Sequence, residues 1–271
     1  MSELSLNIKE KSHRKILNAI RMCGEVSGAQ LARLKKLQPS TLVYILRSLE
    51  KAGLIEMSRL GISTAVGGKP PKLWRLVAEK GYTIGLEIVP NEIRMSVTNF
   101  ACKLIHQQIS SNIEIHNSEQ IVSSTKEIIF NFIKKYKLSH DKIIGVGIAI
   151  PGLVDSKQGL IHFSIPFFLK NNPLGKMLKE ALNLPVIVAN DANAGALGVK
   201  WYQDNTEILP SNIVYLTINE LFRGIGAGLI INGQLYEGIS GSAGEIYEEL
   251  PNLNILLERG KKQFKDELNL F

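Results

Sequence analysis

Three polar residues carry what chemistry this chain can direct at a small molecule. Asn190 and Asp191 follow the apolar run "PVIV" (185–188), and Glu245 lies in "SGSAGEI" (240–246). Polar residues at the C-terminal end of a buried strand stand where open α/β sheets place ligands. An Asp there can take a hydroxyl proton as general base, and Asn190 can orient a polyol. Glu245, flanked by small residues, suits a bidentate grip on vicinal hydroxyls. The alternative for Asp191 is a helix N-cap. A second stretch bears on nucleotides: "GLEIVPNEIRMSV" (85–97) reads as strand, tight turn and strand. A turn that cradles phosphate needs glycines, because backbone N–H groups must come close. This one carries Val89, Pro90, Asn91 and Glu92; Pro90 has no N–H, and Glu92 adds repulsion. The two cysteines, Cys23 and Cys102, are far apart, and no Cys/His cluster has ligand spacing. Neither a disulfide nor a metal site is expected, and no cofactor is implied.

Other residues point to a polyanion. Residues 1–80 hold 15 Lys and Arg against 6 Asp and Glu, a balance of +9 within a chain total of +7. The positive excess therefore sits in the first eighty residues, beside a body close to neutral. There "SHRKILNAIRMCG" reads as a helix capped by Ser12 and stopped by Gly24, with Ile16, Leu17 and Ile20 inward. "SGAQLARLKKL" reads as a second, capped by Ser27, with Leu31 and Leu34 on one face. "PSTLVYILRSLEKAGLI" reads as a third, with Pro39 in its first turn and Leu42, Ile45, Leu46 and Leu49 fixing its core face. Gly53 ends it, and Leu54 and Ile55 begin a strand. A basic stretch, "SRLGISTAVGGKPPK", and the alternating "LWRLV" complete a two-stranded wing. Three helices and a basic wing make a winged helix-turn-helix. Its third helix can lie in a major groove. The groove-facing candidates are Gln38, Ser40, Thr41, Val43, Tyr44 and Arg47. Gln38 and Arg47 can read base edges, Arg47 can instead grip phosphate, and Val43 can meet a thymine methyl; the alternative for each is a solvated helix position. Arg59, Lys69 and Lys72 on the wing suit phosphate or minor-groove contact.

The elements that must hold Asn190, Asp191 and Glu245 follow from Tyr82 onward. "YTIGLEIV", "EIRMSVTNF" and "KLIHQQISSNI" read as three successive strands. "SEQIVSSTKEIIFNFIKKY" reads as a helix with Ile121, Ile128, Ile129 and Phe132 inward. "KIIGVGIAIPG" and "PVIVAND" are buried strands, "NPLGKMLKEALN" a helix between them, and "ANAGALGVKWY" a helix of small residues able to pack closely on a sheet. "NIVYLTI" and "GAGLIINGQLYEG" are further strands, the last turning at Asn232–Gly233. A strand meander followed by alternating helices and strands indicates a mixed α/β sheet. No apolar run approaches a membrane span and no signal segment is read at the N-terminus, so a cytoplasmic protein without membrane partners is expected.

Taken together, "GAQLARLKKLQPSTLVYILRSLEKAGLI", "GGKPPKLWRL", "IIGVGIAIPGLVD", "NLPVIVANDANAGALG" and "GIGAGLIINGQLYEGISGSAGEI" resemble the ROK family (repressor, open reading frame, kinase). The likeness is to its sugar-responsive repressors, which include the xylose and N-acetylglucosamine repressors, and it runs from about Ser12 to Glu245. It implies domains at 1–78 (winged helix-turn-helix) and 79–271 (an actin-like, ribonuclease-H-like sugar-kinase fold). It also implies a homodimer or tetramer on a palindromic DNA operator, and a sugar or sugar phosphate that shifts DNA affinity. Asn190 and Asp191 match the family's Asn-Asp sugar contacts, Asp191 standing where its kinases keep the catalytic base. Glu245 matches the sugar-binding Glu, and Gly224 to Gly228 the second glycine loop. The departures are as specific. Glu87 and the Val89-Pro90-Asn91 turn replace the kinases' phosphate loop, so no enzyme and no catalytic residue are expected. Glu248 stands where the family has a sugar- and zinc-contacting His, its cysteine cluster is absent, and Pro166 replaces the Asn of a sugar-facing loop. The segment from Glu248 to Phe271 reads as one charged amphipathic helix, so the second lobe is expected to be incomplete. The alternatives are a sugar kinase with an appended module and a DNA-binding protein that no longer senses a ligand.

Overall fold

A computed structural model describes residues 11–62, 69–203, 210–219, 224–239 and 241–246. The readings made for the wing tip at Gly67–Gly68, for Glu248 and for the helix to Phe271 lie outside the described residues.

The described residues fall into two units. The first runs to Asn190 and includes residues 201–203; the second comprises residues 191–200 and those from 210 onward. The first unit contains two separate hydrophobic cores. The smaller is built by three helices, α1 (Lys11–Cys23), α2 (Gly28–Lys35) and α3 (Pro39–Lys51), on a sheet of order β1-β3-β2 made by β1 (Val26–Ser27), β2 (Ile55–Leu60) and β3 (Lys72–Leu76). Ile16, Ile20, Leu31, Leu42, Ile45, Leu49 and Trp74 are its buried centre. Local chemistry sets the helix ends. Ser27 Oγ accepts the Gln30 N–H while Gln30 Oε1 accepts the Ser27 N–H, a complete capping box. Lys36 turns left-handed (φ 51) to end α2, and Pro39 opens α3 at its first position. Two expectations shift. Ser12 falls inside α1 rather than before it. Leu34 does not share the buried face with Leu31 but is 59% exposed in the last turn of α2, one residue before the helix ends, and Leu37 packs against the core instead.

The larger core belongs to a five-stranded mixed sheet of order β11-β7-β4-β5-β6. Its strands are β4 (Tyr82–Val89), β5 (Asn91–Asn99), β6 (Leu104–Ile113), β7 (Ile143–Ile150) and β11 (Val186–Asn190). β4, β5 and β6 form an antiparallel meander, while β7 runs parallel to both β4 and β11. Alternation gives each strand one inward face, Ile84, Leu86 and Ile88 on β4 and Ile93, Met95 and Val97 on β5. The helices α4 (Ser118–Lys135) and α5 (Leu174–Leu182) pack into that core through Ile121, Ile129 and Phe132 and through Leu174, Leu178 and Leu182. Between β7 and α5 the chain makes a small antiparallel sheet that the sequence did not announce: β8 (Leu153–Asp155), β9 (Leu160–Ser164) and β10 (Leu169–Asn172).

The second unit is built on α6 (Asp191–Gln203), whose last turn belongs to the first unit, and on β12 (Ile213–Asn219), β13 (Gly224–Ile231), β14 (Gln234–Leu235) and β15 (Glu245–Ile246). β12 and β13 are antiparallel, β13 turns into β14 through Asn232 and Gly233, both at positive φ, and β15 lies against the start of β13. The small residues of α6 let it lie close to this sheet, as expected. A Cβ on Gly228 would come within 2.1 Å of the Ala192 carbonyl oxygen, and one on Gly195 within 2.2 Å of the Tyr215 ring. The "second glycine loop" is therefore strand β13 here, and at Gly228 the absent side chain serves helix–sheet contact.

Candidate DNA-binding face and ligand site

α3 divides cleanly. Leu42, Ile45, Leu46 and Leu49 are buried, and Gln38, Ser40, Thr41, Val43, Tyr44 and Arg47 are all exposed. The exposed set fills the helix's N-terminal half and one face. Val43 and Tyr44 are 47% and 66% exposed. Gln38 makes no side-chain cap bond, since Pro39 has already removed one orphan N–H from the helix start. The His13 ring of α1 meets the Tyr44 ring edge-on at 6.4 Å, a contact that spacing within either helix does not foretell.

On the wing, Lys69 and Lys72 are exposed and Arg59 is already engaged. β2 bulges between Met57 and Arg59, and Arg59 Nε then donates to Glu25 at 2.9 Å while Ser58 Oγ donates to the same carboxylate. These hydrogen bonds, Ser58's first and Arg59's next, hold the Glu25 carboxyl below its ordinary value. Sequence reading missed Glu25 because nothing local links it to a residue 34 positions away.

The β4–β5 turn is as short as predicted, with Val89 paired to Glu92 and only Pro90 and Asn91 between. Proline followed by a residue at positive φ (Asn91, 67°) meets the requirements of a type II turn. Arg94 closes the turn from its own strand, bonding Glu92 at 2.6 Å and Glu87 at 3.1 Å, and Ser111 Oγ donates to Glu92 at 3.1 Å. The two carboxylates and their arginine occupy the place where a phosphate loop would offer bare N–H groups.

The ligand-site candidates are held differently in each unit. In the first, Asn190 ends β11 and is buried; its Nδ2 donates to the Gly152 carbonyl at 3.1 Å. Gly152 has φ +133, and a Cβ there would lie 2.5 Å from the Phe163 carbonyl oxygen. Only glycine fits, so the loop after β7 is fixed beside the end of β11. The buried Ser164 Oγ donates to the Pro151 carbonyl at 2.7 Å and ties β9 to the same loop. Pro166 follows in the turn toward β10 and lies two residues beyond that anchor. In the second unit, Asp191 is the first residue of α6, and its Oδ1 accepts the Ala192 N–H at 2.9 Å. The helix-start role foreseen as an alternative is thus real, and it fixes a carboxylate at the helix's positive end. Glu245 is half-buried beside β13. Burial first, and then the negative charge of Asp191, push the Glu245 carboxyl above its ordinary value. Asp191 and Glu245 therefore lie close enough for their charges to interact. Among the described residues no group of three or more His, Cys, Asp or Glu side chains is arranged to hold a metal, and no helix is long and apolar enough to cross a membrane.

The ROK family model matches residues 85–247, most of the chain. The chain belongs to the ROK family. Among its ROK relatives, the xylose repressor of Staphylococcus xylosus is 30% identical over 244 residues, covering 90% of this chain and 61% of that one. A crystal structure of a ROK family transcriptional regulator, a homologue of the E. coli MLC protein, superposes with a TM-score of 0.66 at 25% identity, over 89% of this chain and 61% of that one. A ROK glucokinase from Streptomyces griseus, solved with glucose and AMPPNP, reaches a TM-score of 0.53 at 25% identity, but over only 64% of this chain and 52% of its own. The chain thus spans about three-fifths of the length of the two regulators.

Proposed function

We propose that this chain is a DNA-binding transcriptional regulator, a repressor of carbohydrate uptake or metabolism genes whose DNA affinity a sugar or sugar phosphate modulates. The observation that carries the reading is the division of α3, a buried leucine face behind an exposed face of Gln38, Ser40, Thr41, Val43, Tyr44 and Arg47. Such a helix presents hydrogen-bonding and apolar groups to a major groove. The three helices and the β2–β3 wing are read as a winged helix-turn-helix of residues 1–78, and residues 79–271 as an actin-like sugar-binding and oligomerisation domain. The separate cores on either side of residue 78 support that boundary. Two copies of the chain then bind palindromic half-sites about 34 Å apart, with Lys69 and Lys72 on the backbone.

In the body, Asn190, Asp191 and Glu245 take the sugar hydroxyls. Phosphoryl transfer is disfavoured. Arg94 spends its charge on Glu87 and Glu92, and Pro90 offers no N–H, so the β4–β5 turn has nothing with which to hold a nucleotide's phosphates. The likeness to regulators over the whole chain, against kinases over the body alone, supports the same choice. The test is selection of bound fragments from the source genome at ~0.15 M salt, where non-specific phosphate binding is weak. The reading predicts enrichment of a palindromic site beside sugar genes. Sugar-dependent ATP hydrolysis, or no enrichment from a folded protein, refutes it.

A further inference from the structure

α6 has two ends with different surroundings. Asp191 opens it at the candidate sugar site. Ten residues on, about 15 Å along a helix, Trp201 stands in the last turn, 44% exposed. The Arg21 guanidinium lies over the Trp201 ring at 3.9 Å from its centroid. Arg21 belongs to α1, and its Nε donates to Asn18 Oδ1 at 2.9 Å, so the guanidinium is held in place from its own helix. Its Nη2 is buried with no hydrogen-bond partner, so the ring takes up charge that nothing else there satisfies. One turn of α1 away, Ile20 and Ile16 are buried in the core that also holds the inner face of α3.

Phe100 and Ala101, just past the end of β5, pack against the helical core. A cleft of about 280 Å³ lies there, lined by Ile20, Arg21, Glu56, Arg75, Ala78 and Ala101 among others. The Phe100 N–H donates to the Ala78 carbonyl at 3.1 Å on one side of it. A module held by a few such contacts beside a cleft can tilt. At the other end of the path α6 lies tight on its sheet, with the Ala192 carbonyl against Gly228 of β13 and Gly195 against the Tyr215 ring of β12.

We infer that the Arg21–Trp201 contact is the coupling point between the ligand site and the DNA-binding module: occupancy at the Asp191 end of α6 shifts Trp201, Arg21 carries the shift into α1, and the presentation of α3 changes. The inference rests on the proposed sugar-responsive reading and adds a residue pair to it. It differs from a merely structural contact in one respect: losing the pair abolishes linkage while leaving both binding events intact.

The experiment measures affinity for the fragment selected from the genome, by fluorescence anisotropy, with and without D-xylose, D-glucose or N-acetyl-D-glucosamine at saturation. Calorimetry gives sugar affinity separately. In the wild-type full-length chain a sugar is expected to change DNA affinity by about tenfold, within the usual span of allosteric coupling. Arg21→Gln and Trp201→Ala should still bind DNA and sugar, with the sugar effect reduced to less than about twofold. Trp201→Phe and Arg21→Lys keep a ring and a cation and should restore most of the response. If Trp201→Ala does not fold, Arg21→Gln decides. A full response in Arg21→Gln overturns the inference and leaves the regulator reading standing. A wild type that binds the selected DNA but answers no sugar removes the effector reading and the coupling together. A wild type that selects no DNA removes the regulator reading itself.

Discussion

Glu25 pairs with the exposed Arg59 guanidinium, and on the proposed reading that ion pair competes with DNA backbone for it. Arg59 must exchange a carboxylate for a phosphate to contribute, so much of its attraction is cancelled before binding. Glu25→Gln should raise non-specific DNA affinity and steepen the dependence of log K on log salt by about 0.9 per added phosphate contact, as salt titrations would show. An unchanged slope would mean that Arg59 never reaches phosphate. Glu245 makes a prediction of opposite character. Its folded pKa lies above the ordinary 4.5. A carboxylate so shifted contributes stability that is fully present below about 4.5 and is lost as pH rises through the raised value. Glu245→Gln should therefore melt higher than wild type at neutral pH. The gap should close as pH falls to about 4.5, and sugar affinity should drop at every pH. Melting curves across pH that stay parallel would show that the carboxyl is not buried against Asp191.

At the scale of elements, α6 is the piece on which both units depend, and its helix–sheet contact is tight enough to test. Gly228→Ala drives a methyl into the Ala192 carbonyl, and overpacking of that kind costs about 1–3 kcal/mol. Thermal unfolding should show that loss, and wild-type stability would mean the strand and helix stand further apart. The same element shows what the sequence could reveal. "ANAGALG" announced a helix that packs closely, and alternation in β4 and β5 and the leucine spacing of α3 announced their buried faces. β8, β9 and β10 were not legible because strands of three to five residues, broken by Phe168 and Asn171 at positive φ, carry too little periodicity to register. Leu34 misled because residues three apart are offset by about 60° around a helix, and in the last turn of α2 that offset leaves Leu34 outside the buried stripe. Asn190, Asp191 and Glu245 stood out as candidates from residue type, position and the family resemblance. Their environment did not, since the Gly152 carbonyl and the charge of Asp191 are brought up by the fold from residues distant in sequence.

For the molecule as a whole, charge and topology agree. The +9 balance falls in residues 1–80, the stretch of sequence that holds the three helices and the wing, and the near-neutral remainder in the stretch that holds the large sheet. On the proposed reading, this partition gives the module long-range attraction to DNA, while the α3 face supplies discrimination. The central claim is that this discrimination exists. Its most direct measurement is the ratio of dissociation constants for the genome-selected fragment and for a scrambled fragment of equal length, at ~0.15 M salt. The account predicts a preference of roughly 10³-fold or more, cut by about 1–3 kcal/mol in Arg47→Ala if that side chain reads a guanine, with non-specific affinity nearly unchanged. Equal affinity for both fragments, in a protein shown to be folded, would contradict it.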